Sequence, residues 1–278
     1  MYKENLTNQI IDLYNNKKIS TANIAKQLKI GITTVQRKLS NLKLLKSVSE
    51  TKRKYTFNHN YFEKIDNEDK AYFLGLMYAD GNISINKCIR LTSKDKYILE
   101  KFFECINHTG VIYREFHNKF KKECFKAQAS SEKMFNDLNN LGCVPNKSLI
   151  LKFPTNIPND LVHHFIRGYF DGDGTVGIYN LKGSIWKRLT CGFCGTKEFL
   201  TDLNIKSGMK IKTLKKQKNI FRLTFSVEDS NELYKYMYKD ATIFLTRKKD
   251  IFDNYIKQRS STTTMNNPLK RKGWRIKV

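Results

Sequence analysis

The stretch 73–81 reads Phe-Leu-Gly-Leu-Met-Tyr-Ala-Asp-Gly, an apolar segment that ends in an acidic residue and a glycine. The stretch 166–174 repeats the pattern as Ile-Arg-Gly-Tyr-Phe-Asp-Gly-Asp-Gly. Asp80 and Asp173 occupy the same place in the two copies and lie 173 − 80 = 93 residues apart. Two copies of one pattern at this spacing predict a chain built from two similar halves.

Each copy is predicted to form a helix that ends at its final glycine, because glycine adopts the left-handed conformation of a helix C-terminus without strain. Gly75 and Ala79 are four residues apart and share one helix face, and so do Gly168 and Gly172. Faces of small residues allow two helix backbones to approach closely. We therefore expect the two helices to pack against each other at a pseudo-twofold axis.

Asp80 and Asp173 would then lie in an unfavourable electrostatic position. A carboxylate at the C-terminus of a helix meets the negative end of the helix dipole, where a cation is favoured. Two such carboxylates at adjacent helix ends should be destabilising unless they are neutralised, and a divalent cation would remove the conflict, since hard oxygen ligands of this kind suit Mg²⁺. Asp-Gly is also an ordinary turn signal, but its duplication in the same context favours the metal site.

The apolar pattern around these stretches predicts the order helix, two strands, helix, two strands, helix, once over 67–150 and again over 158–258. The predicted strand pairs lie near 82–92, 111–130, 175–194 and 209–227, with turns near 118–119, 180–184 and 217–219. Further helices are predicted near 94–106, 131–141, 197–203 and 229–239. Pro154 and Pro158 mark the joint between the halves, because the residue before a proline disfavours a helix.

Residues 1–45 are predicted to form a small helical unit. Three helices are expected, over 8–14, 22–28 and 32–42, with Ser20 or Thr21 as the cap of the second. The apolar spacing resembles a helix-turn-helix of the resolvase type, although Lys29 replaces the usual turn glycine. The third helix would offer DNA the side chains of Thr33, Thr34, Gln36, Arg37 and Lys38. The alternative is a three-helix packing unit without a DNA contact.

The chain carries 51 lysines and arginines against 26 aspartates and glutamates, a formal net charge of +25. The basic residues are spread along the whole chain, which favours a large basic surface over a charged tail. Such an excess indicates a polyanionic partner, and nucleic acid is favoured over an anionic membrane surface or a ribosomal role. No apolar run approaches the roughly 18 residues of a membrane span, so we expect a soluble intracellular protein.

The six cysteines do not form a dense, regularly spaced disulfide framework. Cys191 and Cys194 form an isolated CxxC pair in a predicted strand. Without a second such pair or a nearby pair of histidines, buried strand cysteines are favoured over a zinc site.

Both stretches resemble the LAGLIDADG motif, and the resemblance to the two-motif LAGLIDADG homing endonucleases covers about residues 60–258. It implies an α+β fold in which an αββαββα unit is repeated, so that two four-stranded sheets form a saddle over the DNA major groove. It also implies that Asp80 and Asp173 bind the metals, and Ala79 and Gly172 are assigned to the same metal site. Mg²⁺ is the expected cofactor, and Mn²⁺ or Ca²⁺ is expected to be able to substitute in binding.

Two further pairs of positions follow from the resemblance. The earlier acidic position of the motif holds Asp171 in the second copy and Tyr78 in the first, and we predict a structural role at the helix end for Asp171. The resemblance also implies a basic residue after the last helix of each half. This residue is Lys147 in the first half and Lys248 in the second. Each lysine is predicted to polarise water or to neutralise a phosphate oxygen, the alternative being a solvated or phosphate-contacting lysine.

Polar and basic side chains alternate along the predicted strands, and period-two alternation places one set on the exposed face. Such side chains read base edges in the major groove or hold phosphates, and the alternative is an ordinary solvated sheet face. The candidates are Ser84, Asn86, Arg114, Lys126, Gln128, Arg188, Thr190, Lys212, Lys216 and Arg222.

These observations predict a helix-turn-helix domain over 1–45, a basic linker over 46–66, two halves over 67–155 and 156–258, and a basic tail over 259–278. The predicted protein is a monomer that hydrolyses double-stranded DNA at a long asymmetric site, because two unlike halves in one chain allow a non-palindromic target. A DNA-binding regulator that does not cleave, or a maturase that binds intron RNA, would use the same fold. Both motif acids are present, which favours the enzyme.

Overall fold

The computed structural model describes residues 2–45, 54–117, 122–180 and 187–265. The chain divides into two compact units, Met1–Tyr55 and Thr56–Val278.

The first unit contains three α-helices around a small apolar core. They are α1 (Tyr2–Ile11), which continues into a π-helical turn over Asp12–Asn16, α2 (Thr21–Leu28) and α3 (Ile32–Asn41). The core includes Ile10, Leu13, Ile24, Val35 and Leu39. Ser20 caps α2 by accepting a hydrogen bond from the Asn23 amide at 3.3 Å, as its position in the sequence predicts.

Lys29 ends α2 in the left-handed conformation, with φ of 53° and ψ of 42°. This is the position at which the resolvase-type pattern has a glycine. The left-handed region is unfavourable for a residue with a Cβ atom, by roughly 1–2 kcal/mol. The chain therefore makes the turn between α2 and α3 with some backbone strain.

The second unit repeats one order of elements twice, and this confirms the αββαββα prediction. The first half contains α4 (Glu68–Ala79), β1 (Gly81–Ile83), β2 (Cys88–Ser93), α5 (Lys96–Cys105), β3 (Tyr113–His117), β4 (Lys122–Ser130) and α6 (Glu132–Asn140). The second contains α7 (Val162–Asp173), β5 (Thr175–Asn180), β6 (Lys187–Gly195), α8 (Lys197–Lys206), β7 (Lys215–Gln217), β8 (Ile220–Thr224) and α9 (Val227–Tyr238), and α10 (Thr246–Met265) follows. The strands form two antiparallel sheets, in the orders β1-β2-β4-β3 and β5-β6-β8-β7.

The turn predicted near 217–219 joins β7 to β8. The turn at 118–119, and most of the turn at 180–184, lie outside the described residues. The strand predicted from 209 onward is shorter than expected, since β7 begins only at Lys215.

The helices α4 and α7 cross with their backbones in contact. A Cβ atom placed on Gly75 would lie 2.0 Å from the carbonyl oxygen of Phe165, and one on Gly168 would lie 1.9 Å from that of Tyr72. Only glycine fits at either position, because a side chain would overlap the backbone of the opposite helix. The small residues therefore pack as the sequence predicts, and the core of the unit surrounds this crossing.

The structure shortens the linker predicted over 46–66. Residues 46–53 lie outside the described residues, but Tyr61, Phe62 and Ile65 are buried in the core of the second unit. The basic residues of this region suggested a linker, although its aromatic residues pack with the first half. The predicted tail from 259 begins inside α10, which extends to Met265, and residues 266–278 lie outside the described residues.

Within the described ranges, no helix combines the length and apolar character that crossing a bilayer requires. The six cysteines all fall in those ranges and are unpaired. Cys191 is buried in β6, as expected of a strand cysteine.

Candidate functional site

The ends of α4 and α7 meet, and each carries an aspartate. Asp80 directly follows α4, and Asp173 is the last residue of α7. A Cβ atom on Gly172 would lie 2.3 Å from the Cβ of Ala79 and 3.2 Å from Oδ2 of Asp80. Both aspartate side chains keep access to solvent. The crossing therefore places two reachable carboxylates at one end of a helix pair.

The pKa values of both aspartates are raised. Loss of hydration among the surrounding protein atoms raises the pKa of Asp80 to about 6, and the negative charge of Asp173 adds to the rise. Loss of hydration also raises the pKa of Asp173. Lys147 and Lys248 oppose the rise at both carboxylates. Loss of hydration is therefore the chief cause at both carboxylates, and repulsion by the other acid adds to it at Asp80.

The side chain of Lys248 is buried, and its positive charge interacts with both carboxylates. Its Nζ donates to the carbonyl oxygens of Phe170 at 2.5 Å, Gly174 at 2.6 Å and Gly172 at 3.2 Å. An ammonium group has three donors, so all of them face the C-terminus of α7. Burial lowers the pKa of Lys248 to about 8. In this arrangement the lysine acts as a cationic cap of α7, with no donor left for a water molecule.

Lys147 holds the corresponding place in the first half. It is buried, it lies in a short 3-10 turn over Lys147–Leu149, and its Nζ donates to the carbonyl oxygen of Gly81. The two lysines are therefore brought to the two motif helices, as predicted. Their contacts with backbone carbonyls are a feature that sequence reasoning missed.

The earlier motif position joins each helix to the segment that leads to its lysine. Oδ2 of the fully buried Asp171 accepts hydrogen bonds from the Tyr72 hydroxyl at 2.8 Å and from the Leu245 amide at 2.7 Å. Tyr78 donates its hydroxyl to the carbonyl oxygen of Leu141 at 2.5 Å. Burial raises the pKa of Asp171 to about 6. These contacts fit a structural role at the helix end.

The donor set at the meeting point fits a hard cation that is only partly held by protein. Among the described residues, no group of three or more histidine, cysteine, aspartate or glutamate side chains could hold a metal ion. Asp80 and Asp173 would be the side-chain ligands, and Ala79 and Gly172, which have no side-chain oxygen, could contribute only a backbone carbonyl oxygen. The Gly172 oxygen already accepts from Lys248. Oxygen ligands completed by water and phosphate are typical of Mg²⁺.

The first sheet has one apolar face and one polar face. Leu91 and Ala127 pair in register on the core side, while Arg90 pairs with Gln128 on the polar side, where Arg90 Nε donates to Gln128 Oε1 at 3.1 Å. Lys126 lies on the same polar face and forms an ion pair with Glu115. Lys126 and Gln128 therefore occupy the predicted face.

Arg114 points to the other face. It pairs in register with Phe125, which packs against the core, and its guanidinium binds Glu123 at 2.8 Å. Ser84 and Asn86 lie outside the strands, between β1 and β2, and Ser84 is half-buried. The prediction that Arg114 shares a surface with Lys126 is wrong, because neighbouring residues of a strand point to opposite faces.

The second sheet follows the same rule. Arg188, Thr190 and Arg222 share the polar face, where Arg222 donates to the Thr175 hydroxyl at 3.2 Å. Lys216 pairs in register with Phe221 and lies on the opposite face, so its predicted place is wrong. Lys212 is outside the strands and forms an ion pair with Asp229 at 2.5 Å, so it is not part of this surface either.

Register reveals side chains that sequence reasoning missed on the polar faces. Asn82 and Arg90 stand in one row with Gln128 on the first sheet. Lys215 pairs with Arg222 and Tyr179 pairs with Arg188 on the second. Strand pairing alone places these residues, and alternation from a correct strand start would have found them.

In the first unit, α3 presents Thr33, Gln36 and Arg37 to solvent. Thr34 is half-buried, and Lys38 donates its Nζ to the Thr7 hydroxyl of α1 at 2.7 Å. The outward face predicted for α3 is therefore narrower than expected, since Lys38 turns toward α1.

Solved structures with a similar fold identify this architecture. The meganuclease I-SmaMI, in a crystal structure bound to uncleavable DNA, aligns with a TM-score of 0.50 at 12% identity, over 71% of this chain and 91% of that one. The fold is that of the LAGLIDADG homing endonucleases. The LAGLIDADG homing endonuclease I-GzeII in complex with its DNA target aligns with a TM-score of 0.48 at 16% identity, over 71% of this chain and 92% of that one.

Sequence comparison adds distant likenesses to two proteins of Methanocaldococcus jannaschii, one of them the probable translation initiation factor IF-2, which is 29% identical over 146 residues. The chain is 30% identical over 109 residues to the DNA-directed RNA polymerase subunit Rpo1C of Methanocaldococcus jannaschii. The match covers 39% of this chain and spans 13% of the length of that subunit. No protein-family model matches the chain.

Proposed function

We propose that this chain is a site-specific endonuclease that cuts both strands of DNA with a divalent metal ion. The observation that carries the proposal is the pair of accessible carboxylates, Asp80 and Asp173, at two helix ends in contact. The raised pKa values of both carboxylates support a cation at this point, because a bound cation would offset the free-energy cost of ionising them. A binding site whose acids are destabilised until a cation arrives is typical of function rather than of packing.

Hydrolysis of a phosphodiester needs an activated water and neutralisation of charge at the phosphate, and Mg²⁺ supplies both when bound. The chain contributes the ligands Asp80 and Asp173, one from each half. Lys147 and Lys248 keep positive charge close to these carboxylates and to the approaching phosphate. One carboxylate and one lysine in each half suit the cutting of one strand by each half.

The polar sheet faces supply the DNA-binding surface in this proposal. Arg90 and Gln128 on the first sheet, and Arg188 and Arg222 on the second, are side chains that read base edges in the major groove. A duplex lying across both sheets would meet a different set in each half, so its site would be asymmetric. The DNA bound in the similar structure of I-SmaMI supports this partner. The proposed protein acts inside the cell, where its DNA target is found, and it acts as a monomer, because both centres lie in one chain.

The first unit is proposed to be a helix-turn-helix that binds DNA outside the cut region. Its support is the exposed side chains Thr33, Gln36 and Arg37 on α3, together with the tight turn at Lys29. The net charge of +25 is consistent with an extended contact with phosphates.

Cleavage of duplexes from the locus of the gene, with Mg²⁺, tests the proposal. The unmodified chain is expected to cut at one site, and Asp80→Asn to bind the same site without cutting. Asp250→Asn, which changes an exposed carboxylate on α10, is the matched control and should cut normally. Binding without cleavage by the unmodified chain would instead indicate a regulator, and selective binding of intron RNA would indicate a maturase.

A further inference from the structure

We propose that the lysine of each half is positioned by the opposite half, through hydrogen bonds made at the beginning of α5 and of α8. The inference rests on the proposed nuclease function, since it assigns a role in that reaction to residues outside the carboxylate site. It makes Tyr97 and Thr196 positioning residues.

The segment that leads to Lys248 is held by the first half. Tyr97, in the first turn of α5, donates its hydroxyl to the carbonyl oxygen of Phe244 at 2.8 Å. The same hydroxyl accepts a hydrogen bond from the amide of Thr246 at 2.7 Å. Thr246 is the first residue of α10, which carries Lys248 two residues further on. One side chain thus fixes the backbone on both sides of Leu245.

The segment that follows Lys147 is held by the second half in the same way. Thr196, immediately before α8, donates its hydroxyl to the carbonyl oxygen of Leu151 at 2.5 Å. The hydroxyl also accepts from the amide of Phe199 at 3.1 Å, so it caps α8 at the same time. Leu151 is buried and lies four residues beyond Lys147.

An ion pair accompanies each hydrogen bond. Asp95, just before α5, binds Arg247 at 2.8 Å, and Glu198, in the first turn of α8, binds Lys152 at 3.1 Å. Both pairs have solvent access, so each contributes little by itself. The positions of the two ion pairs are more informative than their energies, because α5 and α8 are equivalent elements of the two repeats. A contact that occurs twice at equivalent places, each time with the opposite half, is part of the architecture.

The hydrogen bonds between the halves affect the positions of the two lysine ammonium groups. Lys248 and Lys147 bind carbonyl oxygens of their own half, whereas the backbone that carries them is anchored to the other half. Catalysis is sensitive to displacements of about 1 Å in the reacting groups. Each cutting centre therefore depends on both halves of the chain.

Strand-specific cleavage tests this arrangement. The substrate is a duplex recovered by cleavage selection from a randomised library, with a different fluorophore at each 5′ end. Lys248→Met first identifies the strand that depends on Lys248. Tyr97→Phe is expected to slow cutting of that same strand roughly tenfold, equal to loss of about 1.4 kcal/mol, and to leave the other strand within about twofold. Equal slowing of both strands, or slowing of the opposite strand alone, overturns the inference.

Tyr236→Phe is the matched control. It removes a hydroxyl that also donates to a backbone carbonyl, that of Lys206 at 3.3 Å, but within one half. It should change neither strand selectively.

Thr196→Val is the reciprocal variant, and it should slow the strand that Lys147→Met slows. Because it also removes the cap of α8, Ser226→Ala, which removes the cap of α9, controls for the lost cap. If Thr196→Val and Ser226→Ala have the same effect on the two strands, the hydrogen bond from Thr196 to Leu151 has no positioning role.

Hydrogen exchange provides a measurement that needs no DNA. In Tyr97→Phe the amides from Thr246 to Lys249 should exchange faster, while Tyr236→Phe leaves them unchanged. Unchanged exchange in Tyr97→Phe overturns the inference whatever the chain does to DNA. If cleavage selection with the unmodified chain recovers no duplex, the nuclease function is refuted instead, and the exchange result still stands.

Discussion

Replacement of Asp80 by asparagine should stabilise the metal-free protein at neutral pH. The pKa of Asp80 is raised from 3.8 to about 6, chiefly by loss of hydration and then by the charge of Asp173. Between these values the folded chain keeps a proton that the unfolded chain releases. Stability is therefore greatest below this window and falls as the pH rises through it. The ionised carboxylate is a destabilising group at pH 7.

A rise of this size corresponds to about 3 kcal/mol. The Asp80 side chain keeps solvent access, which screens part of the effect, so we expect a gain of roughly 1 kcal/mol for Asp80→Asn. Asp250→Asn, at an exposed position of α10, should change the free energy of unfolding by less than about 0.5 kcal/mol.

Urea unfolding near neutral pH, with a chelator and then with Mg²⁺, measures the effect. A cation that binds the folded state stabilises it, by about 2.7 kcal/mol when its concentration is 100 times its Kd. The unmodified chain should gain this stability and Asp80→Asn should gain less. The reasoning is refuted if Asp80→Asn is less stable than the unmodified chain without metal, because its carboxylate would then be a stabilising group.

Three other predictions follow from the same structure. Cleavage should slow as the pH falls through about 6, because protonated Asp80 is a poor metal ligand; initial rates should show the inflection move lower with excess Mg²⁺. Gly168→Ala should destabilise the chain by about 3 kcal/mol in thermal unfolding, since its Cβ would lie 1.9 Å from a carbonyl oxygen; a normal melting temperature would contradict the close crossing. Arg90→Ala should relax base preference at one position of the target, costing about 1–3 kcal/mol, while Arg114→Ala should not; selection on a randomised duplex would reverse the face assignment if the two results were exchanged.

The motif helices could be predicted in detail because their determinants are local. Small residues four apart on an apolar helix indicate close packing, and Gly75 and Gly168 contact the opposite backbone as expected. The duplication also indicated that Asp80 and Asp173 would come together. These features need only helical periodicity and knowledge of where each helix ends.

Placement of the sheet residues was less predictable. Arg114 and Lys216 carry the right chemistry but lie on the opposite faces, because a shift of one residue in a strand reverses every side chain. The sequence does not show where short strands such as β3 and β7 begin.

Contacts between distant residues were beyond sequence reasoning. The three carbonyl partners of Lys248 depend on how the beginning of α10 lies against the C-terminal end of α7. The bonds of the Tyr97 hydroxyl join residues almost 150 positions apart. No periodicity or spacing in a single sequence signals such pairs.

The crossing of α4 and α7 brings peptide groups of the two helices into direct contact at Gly75 and Gly168. Substitutions on the outer sheets can therefore change which duplex is preferred without moving Asp80 relative to Asp173. A nuclease built in this way would acquire new targets during evolution while the stagger between its two nicks, and so the length of the single-stranded ends, stayed constant.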